Sequence, residues 1–334
     1  IQHVYQVTPE AWFEFFTTLT EAETRANQDA IQARIFDRGE FDFHVFSDPS
    51  EPFQLDFDTL VEVYWNAGSA LAPAIGDIRE ATFRMLQEGK FVIGEFGQSY
   101  WLDKRHGFSP NVTASHTFTP EFFQSASIPL QPIHNIGVSK AYDTKVGTHI
   151  FITEMEEEDP LSKRLKSLEF GTSTGRQRMV GWFDAVEKGE AIRYGGCQDL
   201  MINKIDVMGA GEDWNGKLKI CVAYEDASGK QYDQVPRSDQ LRASLKPVYL
   251  ELDSWDEDIQ RCRSWKDLPT RVHFYILTLI KATYDIATRR GKSPIPFPNL
   301  RYLGVGPGPD QIIKDIPELD TLLAQASELP AFHS

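Results

Sequence analysis

The spacing of apolar positions changes near residue 90. Before it, hydrophobic residues recur three and four apart. Trp12, Phe15, Phe16 and Leu19 share one helical face behind Thr8 and Pro9, which suit the cap and first position of a helix. Leu60, Val61, Val63 and Tyr64 predict a second, shorter helix. A third runs from about Pro73 to Glu88, with Ile78, Ala81, Phe83, Met85 and Leu86 largely apolar and Gly89 as its stop. Beyond residue 90 come short β-rich runs: KFVIGEFG (90–97), HNIGVSKAY (134–142), DLMINKIDV (199–207), KLKICVAY (217–224) and LRYLGVG (300–306). Helical patterns lie between some of them, and the one at 272–288 is apolar over much of its surface. Strands alternating with helices, and closing on Gly, Asp or polar residues, predict an α/β fold. In such folds ligands gather at the carboxyl ends of strands.

Charge narrows the partners. Lys and Arg number 34 against 49 Asp and Glu, a net charge of -15. That balance argues against a nucleic acid or an anionic membrane as partner, because phosphate binding over a wide face needs a basic surface. No run of 18 apolar residues occurs and no signal-peptide pattern opens the chain, so the expectation is a soluble, cytoplasmic protein. Cys197, Cys221 and Cys262 form no CxxC pair and predict buried thiols, not a zinc site or a disulfide framework. The acidic run EMEEEDP (154–160) reads as a solvated loop, since the spacing of a calcium loop is missing. The opening IQHVYQV lacks an initiator Met, which reads as a processed, trimmed or incomplete product.

An anion site in so acidic a chain must be local. GTSTGRQRMVGW (171–182) sets Arg176 and Arg178 one residue apart after a run of Gly, Thr and Ser. Glycine admits a ligand close to the backbone, hydroxyls donate hydrogen bonds, and guanidinium forks grip carboxylate or phosphate. A surface turn with two solvated arginines has the same composition. NKID (203–206) follows the β-rich LMI. An Asp at a strand end can accept both the N1–H and the exocyclic amine of guanine, and adenine lacks the N1–H. Lys204 can lay its stem along the base. The plain alternative is an Asp opening a turn. GVGPGP (304–309) can line a flat base with backbone or simply turn the chain. The polar loop 95–117 offers Gln98, Thr113, Ser115 and Thr117, while His106 and His116 lack metal-ligand spacing.

Taken in order, these segments resemble adenylosuccinate synthetases, the GTP-dependent ligases that join IMP to aspartate. The family pattern EGAQG-x-x-LD-x-x-x-GTYPFVTSSN is matched at Glu95, Gly97, Gln98, Leu102, Asp103, Gly107, Pro110, Val112, Thr113 and Ser115. KAYDTKVGTHIFITE (140–154), GTSTGRQRMVGWFD (171–184), NKIDVM (203–208) and the Gly-Pro turn at 306–307 follow in the family's order. The resemblance implies one synthetase-like domain over 1–334, with a mostly helical subregion at 1–89 and an α/β part at 90–334. It also implies the family's P-loop-NTPase-like fold, with a central, largely parallel sheet flanked by helices.

The same resemblance implies roles. Arg176 would clamp the aspartate carboxylates, helped by Thr172, Ser173 and Thr174. Arg178 would face GTP, Lys204 and Asp206 would read guanine, and Gly304, Val305 and Gly306 would lie beneath the base. Gln98 and Thr113 would contact IMP, with Gln98 supporting catalysis at the reacting oxygen, and Val146 would line the same nucleotide. GTP would phosphorylate the IMP 6-oxygen, and the aspartate amine would displace that phosphate, with Mg2+ stabilising the transferring group. A homodimer is the family's usual state.

There are departures. The family's glycine-rich phosphate loop, its base Asp, its acid His and its GIGPAY segment have no counterpart here, so the chain is read as starting about a third of the way into the pattern. The base, the acid and the Mg2+ ligands are then expected upstream of Ile1. Lys145 stands where the family has Arg, THIFI replaces the GPFP turn, and Phe-Ser follows Gly107 in place of Thr-Tyr. These changes leave open a viral-type enzyme that uses dGMP and makes 2-aminoadenylosuccinate. A module that binds guanine nucleotide or aspartate without catalysis is the reading from another class.

Overall fold

Four of the β-rich runs form strands at the places their pattern marks. The computed structural model describes residues 57–117, 119–146, 150–171, 175–289, 291 and 296–332. The helix expected from Thr8 lies outside the described residues. The chain divides into two compact units, Ile1–Ala81 and Thr82–Ser334.

In the first unit the expected short helix extends over Phe57–Leu71. It gives way to a 3-10 turn, Ala72–Ala74, where Pro73 supplies no amide to continue the α pattern. The next helix therefore begins at Ile78, not at Pro73, and runs to Gln87. Asp77 accepts the amides of Arg79 and Glu80 at its start. Gly89 takes φ +70° just past its end, as its place at the stop requires.

The second unit holds the sheets. Its strands are β1 (Ile136–Lys140), β2 (Asp143–Lys145), β3 (Met179–Gly181), β4 (Phe183–Asp184), β5 (Asp199–Asn203), β6 (Lys217–Glu225), β7 (Gln231–Tyr232), β8 (Lys246–Asp253), β9 (Asn299–Gly304) and β10 (Ile312–Ile313). The central sheet has the order β1-β5-β9-β10, with the first three parallel and β10 antiparallel on β9. A second sheet groups around β6, which pairs in parallel with β4 and antiparallel with β7 and β8. The helix Thr270–Thr288 buries Val272, Tyr275, Ile276, Leu279 and Ile280 in the main core, together with Leu200, Ile202, Leu300 and Leu303 of the central sheet. It packs against the helix Ala185–Gly195, and a β-carbon on Gly189 would strike Ile286, so only glycine admits this approach.

Two expectations need correcting. KFVIGEFG forms no strand: 90–96 is irregular, with Phe91 99% and Ile93 92% exposed. A strand needs a neighbour for its backbone groups, and among the described residues none pairs with this run. The acidic run is the solvated loop expected, with Glu154, Glu156, Glu157 and Glu158 exposed, and Asp159 at its end caps a helix over Pro160–Lys166 by accepting from the Leu161 amide. Of the three thiols, only Cys221 is fully buried; Cys197 and Cys262 are half-buried. No helix among the described residues is long and apolar enough to cross a membrane.

Candidate functional site

Because β1, β5 and β9 are parallel neighbours, their carboxyl ends lie along one edge of the sheet. That edge collects Lys140 at the end of β1, Lys204 and Asp206 after β5, and Gly304 to Gly306 at the end of β9. Lys204 itself adopts φ 64°, a left-handed turn that costs a non-glycine residue conformational energy. A β-carbon on Gly304 would meet the Asn203 side chain, so glycine lets β9 close against the end of β5. The Val305 side chain is buried, which leaves backbone at this edge, and its amide donates to the Gln311 carbonyl at 3.0 Å.

The arginine stretch is the tip of a hairpin. Phe170 and Gln177 bridge, the Arg178 amide donates to the Glu169 carbonyl at 3.0 Å, and the Gly171 amide donates to the Arg176 carbonyl at 2.8 Å. Gly175 turns the tip at φ +65°. Thr172, Ser173 and Thr174 lie outside the described residues.

A buried carboxylate ties this hairpin to the sheet edge. Glu169 accepts from Lys140 Nζ and from Tyr142 Oη, each at 2.6 Å, and Arg178 Nη1 stands 3.4 Å away. Burial opposes its ionisation, but the bonds from Lys140 and Tyr142 outweigh that and hold its carboxyl below the usual range. Lys204 adds to the stabilising field at Glu169, and Asp206 and Arg178 both act on Tyr142. The arginine loop and the NKID turn, 33 residues apart from Gly171 to Lys204, thus share one electrostatic neighbourhood. Arg178 Nε is buried without a hydrogen-bond partner among the described residues.

Gln98 lies in a separate cleft. A cavity of about 410 Å³ is lined by Gly97, Gln98, Ser115 and His116, with Glu121 and Phe122 of the helix Thr119–Ala126 on its far side. Asp103, fully buried, organises the loop beneath. It accepts the amides of Arg105 and His106 at 2.8 and 2.9 Å, that of Thr117 at 2.8 Å, and faces His116 Nδ1 at 3.2 Å. His116 is therefore engaged with a carboxylate. Thr113 sits on the same loop, its amide donating to the Leu102 carbonyl at 2.7 Å, but it is not among the residues lining the cavity.

Val146 follows β2 and is 40% exposed. Its neighbour Lys145 is drawn inward, with Nζ 2.6 Å from Glu187 Oε1 and over the Phe151 ring. Behind it Asp184 caps the helix Ala185–Gly195 through the amides of Val186 and Glu187 and accepts from Tyr224. Burial, with the nearby Glu187 and Asp143, pushes its carboxyl up to about 7.

Reading the motifs alone misses Glu169, Tyr142, Gln260 and Gln311. Glu169 stands two residues before the glycine that opens the arginine loop, a position from which a carboxylate can reach back to the hairpin's own arginine. The two glutamines carry no local signal.

A family model described as adenylosuccinate synthetase matches residues 24–288. An adenylosuccinate synthetase of Frankia alni is 35% identical over 268 residues, covering 79% of this chain and 58% of that protein. One from Micrococcus luteus is 34% identical over 258 residues, covering 77% of this chain and 56% of its own length. The chain thus spans less than two thirds of the curated relatives it matches. In fold it is similar to fully ligated adenylosuccinate synthetase from Plasmodium falciparum, with a TM-score of 0.66 at 23% identity, covering 90% of this chain and 64% of that one.

Proposed function

This chain belongs to the adenylosuccinate synthetase family, and from that premise we propose that it carries the substrate-recognition part of a ligase that joins IMP to L-aspartate with GTP as phosphoryl donor. The observation that supports this most directly is the common edge of β5 and β9. Asn203, which opens NKID, lies beside Gly304 there, so the turn that carries Asp206 and the backbone of Gly304, Val305 and Gly306 share one edge, an acceptor and a flat surface of the kind a guanine edge and face require. Lys204 flanks the base. Arg178 serves the phosphate side, and Arg176, with Thr172, Ser173 and Thr174, receives the aspartate carboxylates. Gln98, Thr113 and Val146 take IMP, with Gln98 beside the oxygen that accepts the phosphoryl group.

Magnesium would stabilise the transferring phosphoryl group; among the described residues no group of three or more His, Cys, Asp or Glu could hold a metal ion. General base and acid are likewise assigned to no described residue. A single synthetase-like domain, a homodimer and a cytoplasmic role in purine biosynthesis complete the proposal.

The test is a thermal-shift series with GTP, ATP and aspartate, followed by an absorbance assay for adenylosuccinate. GTP at a hundred times its dissociation constant adds about 2.7 kcal/mol to the stability of the native state. The proposal expects a clear rise in Tm with GTP and none with ATP. Equal shifts with both would sink the guanine assignment. Nucleotide binding without product under full substrate would favour a binding module, and turnover of dGMP in place of IMP would favour the 2-aminoadenylosuccinate branch.

A further inference from the structure

A side-chain clasp joins the two halves of the base-reading edge, and it comes from a loop outside both. Gln260 Nε2 donates to Asp206 Oδ2 at 3.1 Å. The backbone of Gln260 is well anchored. Its neighbour Ile259 and the nearby Trp255 are buried in the main core, and its own amide donates to Asp258 Oδ1 at 3.0 Å. The Gln260 carbonyl accepts from Arg263 Nη1 at 2.7 Å and from Gln311 Nε2 at 3.0 Å. Gln311 in turn accepts the Gly308 amide at 2.8 Å, and Arg263 pairs with Asp310 at 3.2 Å. The path runs unbroken from Asp206 through Gln260 and Gln311 to the glycine turn that follows β9.

We propose that Gln260 is a positioning residue that sets base specificity: its carboxamide fixes the plane of the Asp206 carboxylate so that the free lone pairs face the N1–H and exocyclic amine of a guanine. The proposal rests on the reading of Asp206 as the guanine acceptor. A carboxylate has about four lone-pair sites. Gln260 occupies one and leaves enough for both guanine donors, so the clasp and the base can be held together. Gln260 is exposed, so its bond to Asp206 adds little to folding. Its effect lies in orientation, because a half-buried carboxylate that must stop rotating on binding still loses affinity. Recognition then divides into a reader, Asp206, and a residue that aims it.

The test uses the 334-residue chain and titrates GDP and ADP in parallel, by calorimetry, against the unaltered protein, Gln260→Ala, Gln260→Glu and Asp206→Asn. Urea denaturation of each variant checks that it remains folded. Gln260→Ala should weaken GDP by roughly 3- to 10-fold and leave ADP unchanged, the scale of one immobilised side chain. Gln260→Glu sets a second carboxylate against Asp206 and should lose more. Asp206→Asn should abolish the preference for GDP altogether. If Asp206→Asn keeps that preference, the guanine reading fails. If Asp206→Asn removes it while Gln260→Ala leaves it intact, the Gln260 proposal alone is overturned. Tighter GDP binding by Gln260→Ala would mean the glutamine competes with the base and would overturn it too. A chain that binds GDP no better than ADP overturns both.

Discussion

The sheet edge that carries Lys204 and Asp206 and the cleft that carries Gln98 are held in place by different means. β5 has a parallel neighbour on each side, so the backbone leading into the turn proposed to read the base is fixed by ladders on both flanks. The cleft loop has a few backbone bonds of its own, Thr113 to Leu102 and Lys104 to Ser115, and Phe108 in a small buried cluster, but its densest set of bonds converges on one side chain. Asp103 gathers three amides and His116, and the run before it, 90–96, pairs with nothing among the described residues. A ladder spreads its constraint over many bonds, whereas a buried carboxylate concentrates it on a single titratable group. The edge should therefore depend on core packing, and the cleft more strongly on Asp103 and on pH.

Four measurements can break or sharpen this contrast, beginning with the largest expected effect. Leu303 is fully buried on β9 against Ile202 of β5, so Leu303→Ala should cost about 2–5 kcal/mol in urea denaturation. A cost below ~1 kcal/mol would mean that the edge does not depend on its core. Next, Asp103→Ala strands several amide donors and should cost roughly 2–3 kcal/mol, with the damage confined to the loop around 99–117. The acid response goes with it. Burial opposes ionisation of Asp103, but the amides and His116 outweigh it and hold the carboxyl below its ordinary 3.8. The folded chain binds that proton less readily than the unfolded one. The stabilisation is complete above about pH 3.8 and drains away as pH falls through the lower folded value. Hydrogen exchange should then quicken at Thr117 and His106 before it does at Met201 and Ile202. Simultaneous loss at both places would erase the contrast.

A third measurement concerns the hairpin, whose base is clamped by Glu169 beside the sheet edge. Arg176→Ala should weaken aspartate by roughly 10- to 100-fold, the value of a charged hydrogen-bonded pair. GTP binding, read by the same thermal-shift series, should stay unchanged. A parallel loss of GTP would place Arg176 on the nucleotide instead. The smallest effect belongs to Ile93→Ser. With the side chain almost wholly in water, stability should move by no more than about 0.5 kcal/mol. A larger cost would show that 90–96 finds a strand partner in solution, and the cleft would then be held like the edge.

Much of the edge was legible along the chain because its chemistry is local. β-Rich residues stop at Asn203 and Gly304, and the residues that follow each stop are those proposed to meet the base. The boundary of the helix at 272–288 was legible for the same reason, since its apolar positions are continuous. The run at 90–97 misled because β-propensity describes one partner of a pairing that needs two. The helix capped by Asp159 was hidden inside a charge-rich loop. Gln260 was illegible for a stricter reason: nothing within its own loop distinguishes it from any exposed glutamine, and its meaning comes from Asp206, 54 residues away.

From the residues in order came the α/β alternation, the resemblance to a family, and the identity of the side chains able to read a base or grip a carboxylate. These follow from period, turn chemistry and donor inventory, all of which act over a few residues. Only the tertiary structure decided which of them stand together. Parallel pairing brought NKID beside the glycine turn, and the burial of Glu169 among Lys140, Tyr142 and Arg178 joined the arginine hairpin to that edge. The reason is that pairing and burial are set by contacts between segments distant in sequence. Their free energy depends on which surfaces meet, and no local pattern specifies that.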